Sequence, residues 1–198
     1  MGSKERISRL KEETRCNILD ASLQIAQKEG WQALSMRKIA DEIEYTAPII
    51  YEYFPNKEGI LAELTRKGYL ILAKDVREAK AKHDKPEQQL EAMWVAYWNF
   101  AFANREFYQL MFGVEMICCN GKNGMEEADL VQKSMCVVIR QLYKEPVSEK
   151  EVSRKYYTFW SIIHGLISIN LVNRGMNEEI NQSILKDAIV GIIRSING

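Results

Sequence analysis

Apolar side chains recur at helical spacing along almost the whole chain. Within residues 57–81, Ile60, Leu64, Leu72 and Val76 fall four or eight positions apart with charged residues between them. The four prolines interrupt none of the long periodic segments, and residues 82–86 form the clearest polar linker. This pattern predicts an all-α protein of about nine helices, the first of them at about residues 9–28.

Two short apolar stripes within residues 36–54 predict a pair of short helices joined by a tight turn. Ser35 and Thr46 each precede one stripe, at a position where an N-cap residue is favoured. This spacing is that of a helix-turn-helix, whose second helix lies in the major groove of DNA. The stripes consist of Ile39, Ala40, Ile43, Ile50, Tyr53 and Phe54.

The same segment resembles the DNA-binding region of the tetracycline-repressor-like (TetR) family of bacterial regulators. About a dozen positions between residues 11 and 65 agree with the family pattern in order and spacing. The central ones are Ser35, Arg37, Ile39, Ala40, Thr46, Tyr51, Tyr53, Phe54, Lys57 and Glu58. A second, weaker resemblance, to one C-terminal subclass of this family, rests on Trp160, His164 and Gly165.

The resemblance implies an N-terminal three-helix helix-turn-helix domain over residues 1–56 and a ligand-binding and dimerisation domain over residues 57–198. It further implies a homodimer that binds double-stranded DNA at a near-palindromic operator. The expected function is transcriptional repression that a small, largely apolar or aromatic effector releases. No cofactor is implied.

Three residues depart from the family pattern. Glu44 stands where the turn usually has glycine, so it must adopt the turn without the conformational freedom of glycine. Pro48 falls in the first turn of the second short helix, where a missing N–H costs little. Glu52 stands where a basic residue or histidine is common, and its carboxylate is repelled by phosphate but can accept from cytosine N4.

The resemblance and the side-chain chemistry together predict eight DNA-contacting residues. Those suited to the phosphate backbone are Arg37, Thr46, Tyr51, Tyr53 and Lys57. Those placed to contact base edges are Ala47, Ile49 and Glu52. The alternative is that the tyrosines are simply part of the core of a small helical domain.

Aromatic and methionine side chains are concentrated between residues 94 and 116. Such stripes are more often core than ligand site, and both interpretations stay open here. The family resemblance favours a pocket, in which flexible methionines and the polar edges of Trp and Tyr suit an apolar or aromatic molecule. The candidate pocket residues are Trp94, Tyr97, Trp98, Phe102, Tyr108, Met111, Phe112, Trp160 and His164.

The last two predicted helices carry more apolar residues than one buried stripe requires. In the family that the chain resembles, these helices pair across a twofold axis, which implies an isologous homodimer. Because Gly165 has no side chain, it would permit the helices to approach closely. The candidate interface residues are Ile162, Gly165, Leu166, Ile169, Ile189 and Ile193.

Composition narrows the function further. Twenty-seven basic residues balance twenty-seven acidic ones, which argues against a strong non-specific DNA binder. Two histidines, with no metal-ligand spacing and no nucleophile with its base, argue against an enzyme or a metal site. The charged N-terminus has no signal-peptide pattern and no apolar run is long enough to span a bilayer, so we expect a cytoplasmic protein without membrane association.

Two alternative functions remain open at the level of the sequence. The chain could be a helical ligand-binding dimer that has lost DNA binding, which its neutral charge, Glu44, Pro48 and Glu52 would support. It could also be a thiol-based redox or metal sensor on the same fold, because Cys118 and Cys119 are adjacent. Reduced cysteines acting as small apolar side chains are the ordinary expectation in the cytoplasm.

Overall fold

The computed structural model describes residues 2–113, 126–172 and 175–197, and in these ranges it contains nine α-helices and one short 3-10 helix. The all-α prediction is therefore confirmed. The helices are α1 (Ser3–Glu29), α2 (Met36–Glu42), α3 (Ala47–Tyr53), α4 (Lys57–Lys80), α5 (Pro86–Ala103), α6 (Arg105–Phe112), α7 (Glu126–Gln141), α8 (Glu149–Leu171) and α9 (Glu178–Asn197). The 3-10 helix, Trp31–Ala33, follows α1.

The described residues form two compact units. The first contains those within Met1–Lys67 and Glu106–Asn123, and the second contains those within Gly68–Arg105 and Gly124–Gly198. Helix α4 contributes to both units, whereas α6 groups with the N-terminal helices although it follows α5 in the sequence. The division predicted between residues 56 and 57 stays a prediction.

The first unit is built around the apolar faces of α1, α2, α3 and the start of α4. Burial of these side chains is the main source of stability for such short helices, because isolated helices of seven residues are not stable in water. The fully buried side chains of this core are Ile18, Ile25, Ile39, Ile50, Ile60, Leu61 and Leu64.

A cation holds α1 against α4 at the edge of this core. The guanidinium of Arg15 lies 5.0 Å from the centre of the Phe54 ring and 3.4 Å from a carboxylate oxygen of Glu63. Arg66, one turn along α4, donates to the same carboxylate at 2.7 Å. The hydrogen bond from Arg66, together with Arg15, lowers the pKa of Glu63 although partial burial opposes the shift.

The second unit has an aromatic core between α5 and α8. The ring of Trp94 stacks on Phe159 with centroids 5.6 Å apart and meets the edge of Tyr97 at the same distance. One turn before Phe159 on α8, the buried ammonium of Lys155 donates to the carbonyl and hydroxyl oxygens of Ser195 at 3.1 and 2.8 Å. A cation at the last turn of α9 is favourable because the carbonyls there have no partner within the helix.

Candidate functional site

The two short helices of the first unit form the predicted helix-turn-helix. The Ser35 hydroxyl accepts from the Lys38 amide at 3.2 Å and so caps α2. The turn that follows α2 is closed by a 2.9 Å hydrogen bond from the Tyr45 amide to the Ala40 carbonyl. Glu44 lies inside this turn with φ of 59°, the left-handed conformation that glycine normally adopts. The backbone of Glu44 is therefore strained, since a residue with a Cβ pays an energetic cost in this conformation.

One face of α3 projects into solvent while the other is buried. Ile50 is completely buried, whereas Pro48, Tyr51 and Glu52 are exposed, and Tyr51 retains 53% of its surface. Residues 48, 51 and 52 share a helix face because they are three and four positions apart. Thr46 holds the N-cap position of α3, but its hydroxyl makes no capping hydrogen bond, contrary to the cap expected from the sequence. This exposed hydroxyl is therefore available to a ligand.

Arg37 is the exposed cation of α2, the other short helix of the helix-turn-helix. Its side chain is exposed, and no described residue accepts a hydrogen bond from it or pairs with it. Two neighbouring lysines, in contrast, are neutralised by ion pairs, Lys38 with Glu29 and Lys28 with Glu42. Arg37 is thus the cation of α2 that can meet a phosphate without first breaking an internal pair.

The other predicted DNA contacts are less accessible. Ala47, Ile49 and Tyr53 are half-buried. Lys57 is also half-buried, and its ammonium donates to the carbonyl of Trp31 at 3.1 Å. A phosphate contact by Lys57 would require that internal hydrogen bond to break.

One further residue beside α3 is solvent-exposed although it was not among the DNA contacts predicted from the sequence. Tyr45 keeps 44% of its surface directly before Thr46, on the side from which α3 begins. An aromatic residue in a short turn is easily taken for core, because spacing alone does not reveal the direction of its ring. Tyr45 and Pro48 extend the exposed surface that Thr46, Tyr51 and Glu52 form, and we call these five residues the α3 surface.

Most of the predicted pocket residues of the second unit do lie together. Trp94 and Tyr97 are buried in the aromatic core, and Trp160 donates from Nε1 to the Tyr97 hydroxyl at 3.0 Å. The His164 ring stacks on Trp160 with centroids 4.8 Å apart, and burial lowers the pKa of His164. The buried Nε1 of Trp94 has no hydrogen-bond partner among the described residues, so an acceptor brought by a ligand would remove an energetic cost.

The predicted pocket set is nevertheless divided by the structure. Tyr108, Met111 and Phe112 belong to the first unit, where the rings of Tyr108 and Phe112 lie 4.8 Å apart. They belong to α6, which follows α5 directly in the sequence although the two helices pack in different units. Trp98 and Phe102, in contrast, line a cavity of about 500 Å³ in the second unit. The sequence did not select its polar residues Asn170 and Asn181, because asparagines at helix ends are usually solvated or capping groups.

The predicted dimer residues separate into exposed and buried sets. Ile162 and Ile169 are exposed on α8, and Gly165 and Leu166 are half-buried between them. A Cβ added at Gly165 would meet no atom within 4 Å, so its face is open. Ile189 and Ile193, however, are buried in the core of their own unit and are not on this open face.

Other apolar side chains complete the exposed face of the last two helices. They are Val172 at the end of α8, at 63% exposed, and Ile180 and Ile184 on α9. The burial of Ile189 and Ile193 follows from the rotation of α9, which the sequence does not indicate because apolar residues on both sides of this helix make its two faces look alike. We refer to Ile162, Leu166, Ile169, Val172, Ile180 and Ile184 as the α8–α9 face.

In the described ranges, no group of three or more metal-ligating side chains occurs. No described helix is long and apolar enough to cross a membrane. Cys16 is exposed and Cys136 is half-buried, while Cys118 and Cys119, on which a thiol sensor would depend, lie outside the described residues.

Comparison with known proteins identifies the family of both halves of the chain. Residues 18–64 match the model described as bacterial regulatory proteins of the tetR family. Residues 90–185 match the tetracyclin repressor-like C-terminal domain. Together the two matches cover more than half of the chain, and both describe regulators rather than enzymes.

Individual relatives agree with these matches. The HTH-type transcriptional repressor KstR of Mycobacterium tuberculosis is 40% identical over 75 residues, which are 37% of this chain and 34% of the relative. The chain therefore matches about a third of the length of this relative.

Solved structures extend the likeness to the whole fold. A protein with unknown function from Rhodococcus sp. RHA1 superposes with a TM-score of 0.78 at 19% identity, over 93% of this chain and 95% of that one. A TetR family transcription regulator from Marinobacter aquaeolei VT8 gives a TM-score of 0.64 at 14% identity, over 92% and 97% of the two chains. With a helix-turn-helix in its first unit and both family domains matched in order, the chain belongs to the TetR family of bacterial regulators.

Proposed function

We propose that this protein is a DNA-binding transcriptional repressor that acts in the cytoplasm. The observation that carries the proposal is the α3 surface, which leaves Thr46, Tyr51 and Glu52 in solvent on a helix whose other face is buried through Ile50. The name of the KstR relative supports repression as the direction of control. A helical dimer that has lost DNA binding is not favoured, because the α3 surface keeps the hydroxyl-bearing side chains of Thr46 and Tyr51 in solvent, where they can contact DNA phosphates.

The proposed DNA contacts follow from the chemistry of the exposed groups. The hydroxyls of Thr46 and Tyr51 and the guanidinium of Arg37 are donors suited to phosphate oxygens. Glu52 can accept from cytosine N4 in the major groove, and it disfavours bases that present only acceptors there. Because the chain has as many acidic as basic residues, we expect affinity to depend on correct base contacts more than on general attraction to the backbone.

A homodimer would supply the second recognition helix. The α8–α9 face is apolar and exposed, and burying it against a second copy would remove several large aliphatic side chains from water. In such an isologous pair, the two copies of α3 would have to enter major grooves about one helical turn of DNA apart, roughly 34–36 Å. A near-palindromic operator is the corresponding DNA sequence.

The aromatic core of the second unit is the proposed effector region. Its apolar walls suit an aromatic or largely apolar small molecule. Such a molecule can switch the dimer only by binding one form better than the other, and a tenfold change in DNA affinity requires about 1.4 kcal/mol of this difference. Compounds that raise the melting temperature should therefore include some that weaken operator binding. Constant DNA affinity with all of them would refute effector control.

Capture of genomic fragments tests the DNA-binding proposal. Sheared DNA from the source organism is incubated with immobilised protein, washed at two salt concentrations and sequenced. The wild type should retain a small set of fragments, and Tyr51→Ala should lose them while keeping its melting temperature, because this ring is exposed. Leu130→Ala, at an exposed site on α7 of the second unit, is the matched control and should retain the same fragments. Retention of an identical set by Tyr51→Ala would contradict the proposal.

A further inference from the structure

A cavity of about 500 Å³ lies where α5, the end of α8 and the beginning of α9 meet. Its size is within the range of small-molecule sites. The rings of Trp98 and Phe102 form its apolar wall, with centroids 4.7 Å apart and planes inclined at 49°. Phe102 is partly exposed although it is a large apolar side chain, so a ligand that covers it would bury surface now in contact with water.

The polar wall of the cavity offers acceptors but few donors. Asn181, only 6% exposed, donates from Nδ2 to Asn170 Oδ1 at 2.7 Å and to the Met176 carbonyl at 3.0 Å. Asn170 donates from Nδ2 to Leu166 O at 2.8 Å and to Asn181 Oδ1 at 3.2 Å. All four amide N–H groups of the pair are therefore used, while each amide oxygen still has a lone pair to offer.

The carboxylate and the aromatic rings of the cavity also favour a ligand that donates hydrogen bonds or carries positive charge. The carboxylate of Glu178 lines the cavity, and no basic side chain does so among the described residues. The faces of Trp98 and Phe102 carry the negative lobes of the aromatic quadrupole, which attract cations. Asn99 is exposed at the rim and can serve as donor or acceptor. An anion would thus meet acceptors, a carboxylate and π faces together.

We propose that this cavity binds a planar aromatic cation, with its ring against Trp98 and Phe102 and its N–H donors toward Glu178 and the Asn170–Asn181 pair. The ligand class is an aromatic amidine or a comparable nitrogen cation. The bound molecule would contact both α8 and α9, the two helices that carry the α8–α9 face. Only the regulatory meaning of this site rests on the proposed function, since binding itself requires no DNA.

Three probes of nearly equal shape but different charge show how much the charge of the ligand contributes to its affinity. Benzamidine is a cation, benzamide is neutral and benzoate is an anion, and each is titrated into the full-length protein by ligand-observed NMR and calorimetry without DNA. Benzamidine should bind about fivefold more tightly than benzamide, the difference expected of one partly solvated ion pair and a cation–π contact. Benzoate should bind most weakly.

Two isosteric variants locate the site. Glu178→Gln should reduce the preference for benzamidine over benzamide to less than about twofold, by removing the ion pair. Glu179→Gln changes the neighbouring exposed carboxylate in the same turn of α9, which does not line the cavity, and should leave the preference unchanged. Phe102→Ala should weaken both benzamidine and benzamide, because both use the ring surface.

The outcomes decide the inference independently of DNA binding. Equal affinities for the three probes, no binding up to about 10 mM, or equal effects of Glu178→Gln and Glu179→Gln would each overturn it. Any of these results can occur with normal operator binding, in which case the proposed function stands and this site does not. Loss of operator binding with the predicted probe preferences would have the opposite meaning.

Discussion

The ammonium of Lys57 donates to the carbonyl oxygen of Trp31 at 3.1 Å, and so ties the first residue of α4 to the 3-10 helix that follows α1. The indole Nε1 of the same tryptophan donates to the carbonyl of Glu106 at 3.1 Å. Trp31 is buried, so both hydrogen bonds act where water competes weakly. Within the first unit, the start of α4 and the start of α6 are thereby fastened to one residue.

Lys57→Met should therefore affect stability more than DNA binding. Loss of a charged hydrogen bond in a half-buried position should lower the free energy of unfolding by about 1–2 kcal/mol, measured by urea denaturation. The dependence of operator affinity on salt should keep its slope, because this ammonium is not free for phosphate.

Arg37→Gln is the matched comparison and should behave in the opposite way. Its exposed side chain has no described partner, so the free energy of unfolding should change by less than about 0.5 kcal/mol. The slope of log affinity against log salt should fall by about one unit per protomer. If Lys57→Met reduced the slope and spared stability, the assignment of these two cations would be reversed.

The left-handed residue in the helix-turn-helix predicts a stabilising substitution. Glu44→Gly removes the contact of Cβ with the backbone at φ 59°, and should raise the free energy of unfolding by up to about 1 kcal/mol after the entropy cost of glycine. Asp41→Gly, at an exposed position inside α2, should lower it by about 0.3 kcal/mol, because glycine is a slightly poorer helix former than aspartate. Equal destabilisation by both glycines, measured by thermal melting, would contradict strain at Glu44.

The ion pairs of Glu63 predict part of the acid sensitivity of the protein. Hydrogen bonding by Arg66 and Arg15 lowers the pKa of this carboxyl below its ordinary value of 4.5. A carboxyl whose pKa is lowered by folding stabilises the native state above its unfolded pKa, and this contribution is lost as pH falls through the lowered value. Glu63→Gln should flatten the dependence of melting temperature on pH below about 4.5. An unchanged acid profile would show that these ion pairs do not contribute.

The α8–α9 face predicts the oligomeric state of a charge variant. Ile169 keeps 50% of its surface on α8, so Ile169→Glu should leave the protomer folded while placing a carboxylate in the proposed dimer contact. Light scattering should then give the mass of a monomer. Val137→Glu, at a similarly exposed position on α7, should remain a dimer, and dissociation of both variants or of neither would argue against this face.

Local signals allowed the helix-turn-helix to be predicted closely. The second short helix spans Ala47–Tyr53, with Thr46 at its N-cap position as expected, because caps and apolar spacing act within a few residues. Helix α1 begins at Ser3 rather than near residue 9. Its first turns are exposed and charged, so no apolar stripe marks where it starts.

Contacts between residues far apart in the sequence could not be predicted from the same patterns. The bond between Lys57 and Trp31 joins residues 26 positions apart, and the spacing of neither residue indicates it. The rotation of α9, which buries Ile189 and exposes Ile184, depends on which face meets α8 and α5. The pairing of Asn170 with Asn181 depends on the same docking.

Selection of bound sequences from a random duplex pool tests the central claim most directly. Wild type and Tyr51→Ala are taken through equal rounds at two salt concentrations and the retained DNA is sequenced. The account predicts enrichment of a short near-palindrome whose half-sites lie about one helical turn apart, weakened by salt and absent with Tyr51→Ala. A pool that remains random at low salt, or a motif that Tyr51→Ala selects equally well, would contradict it.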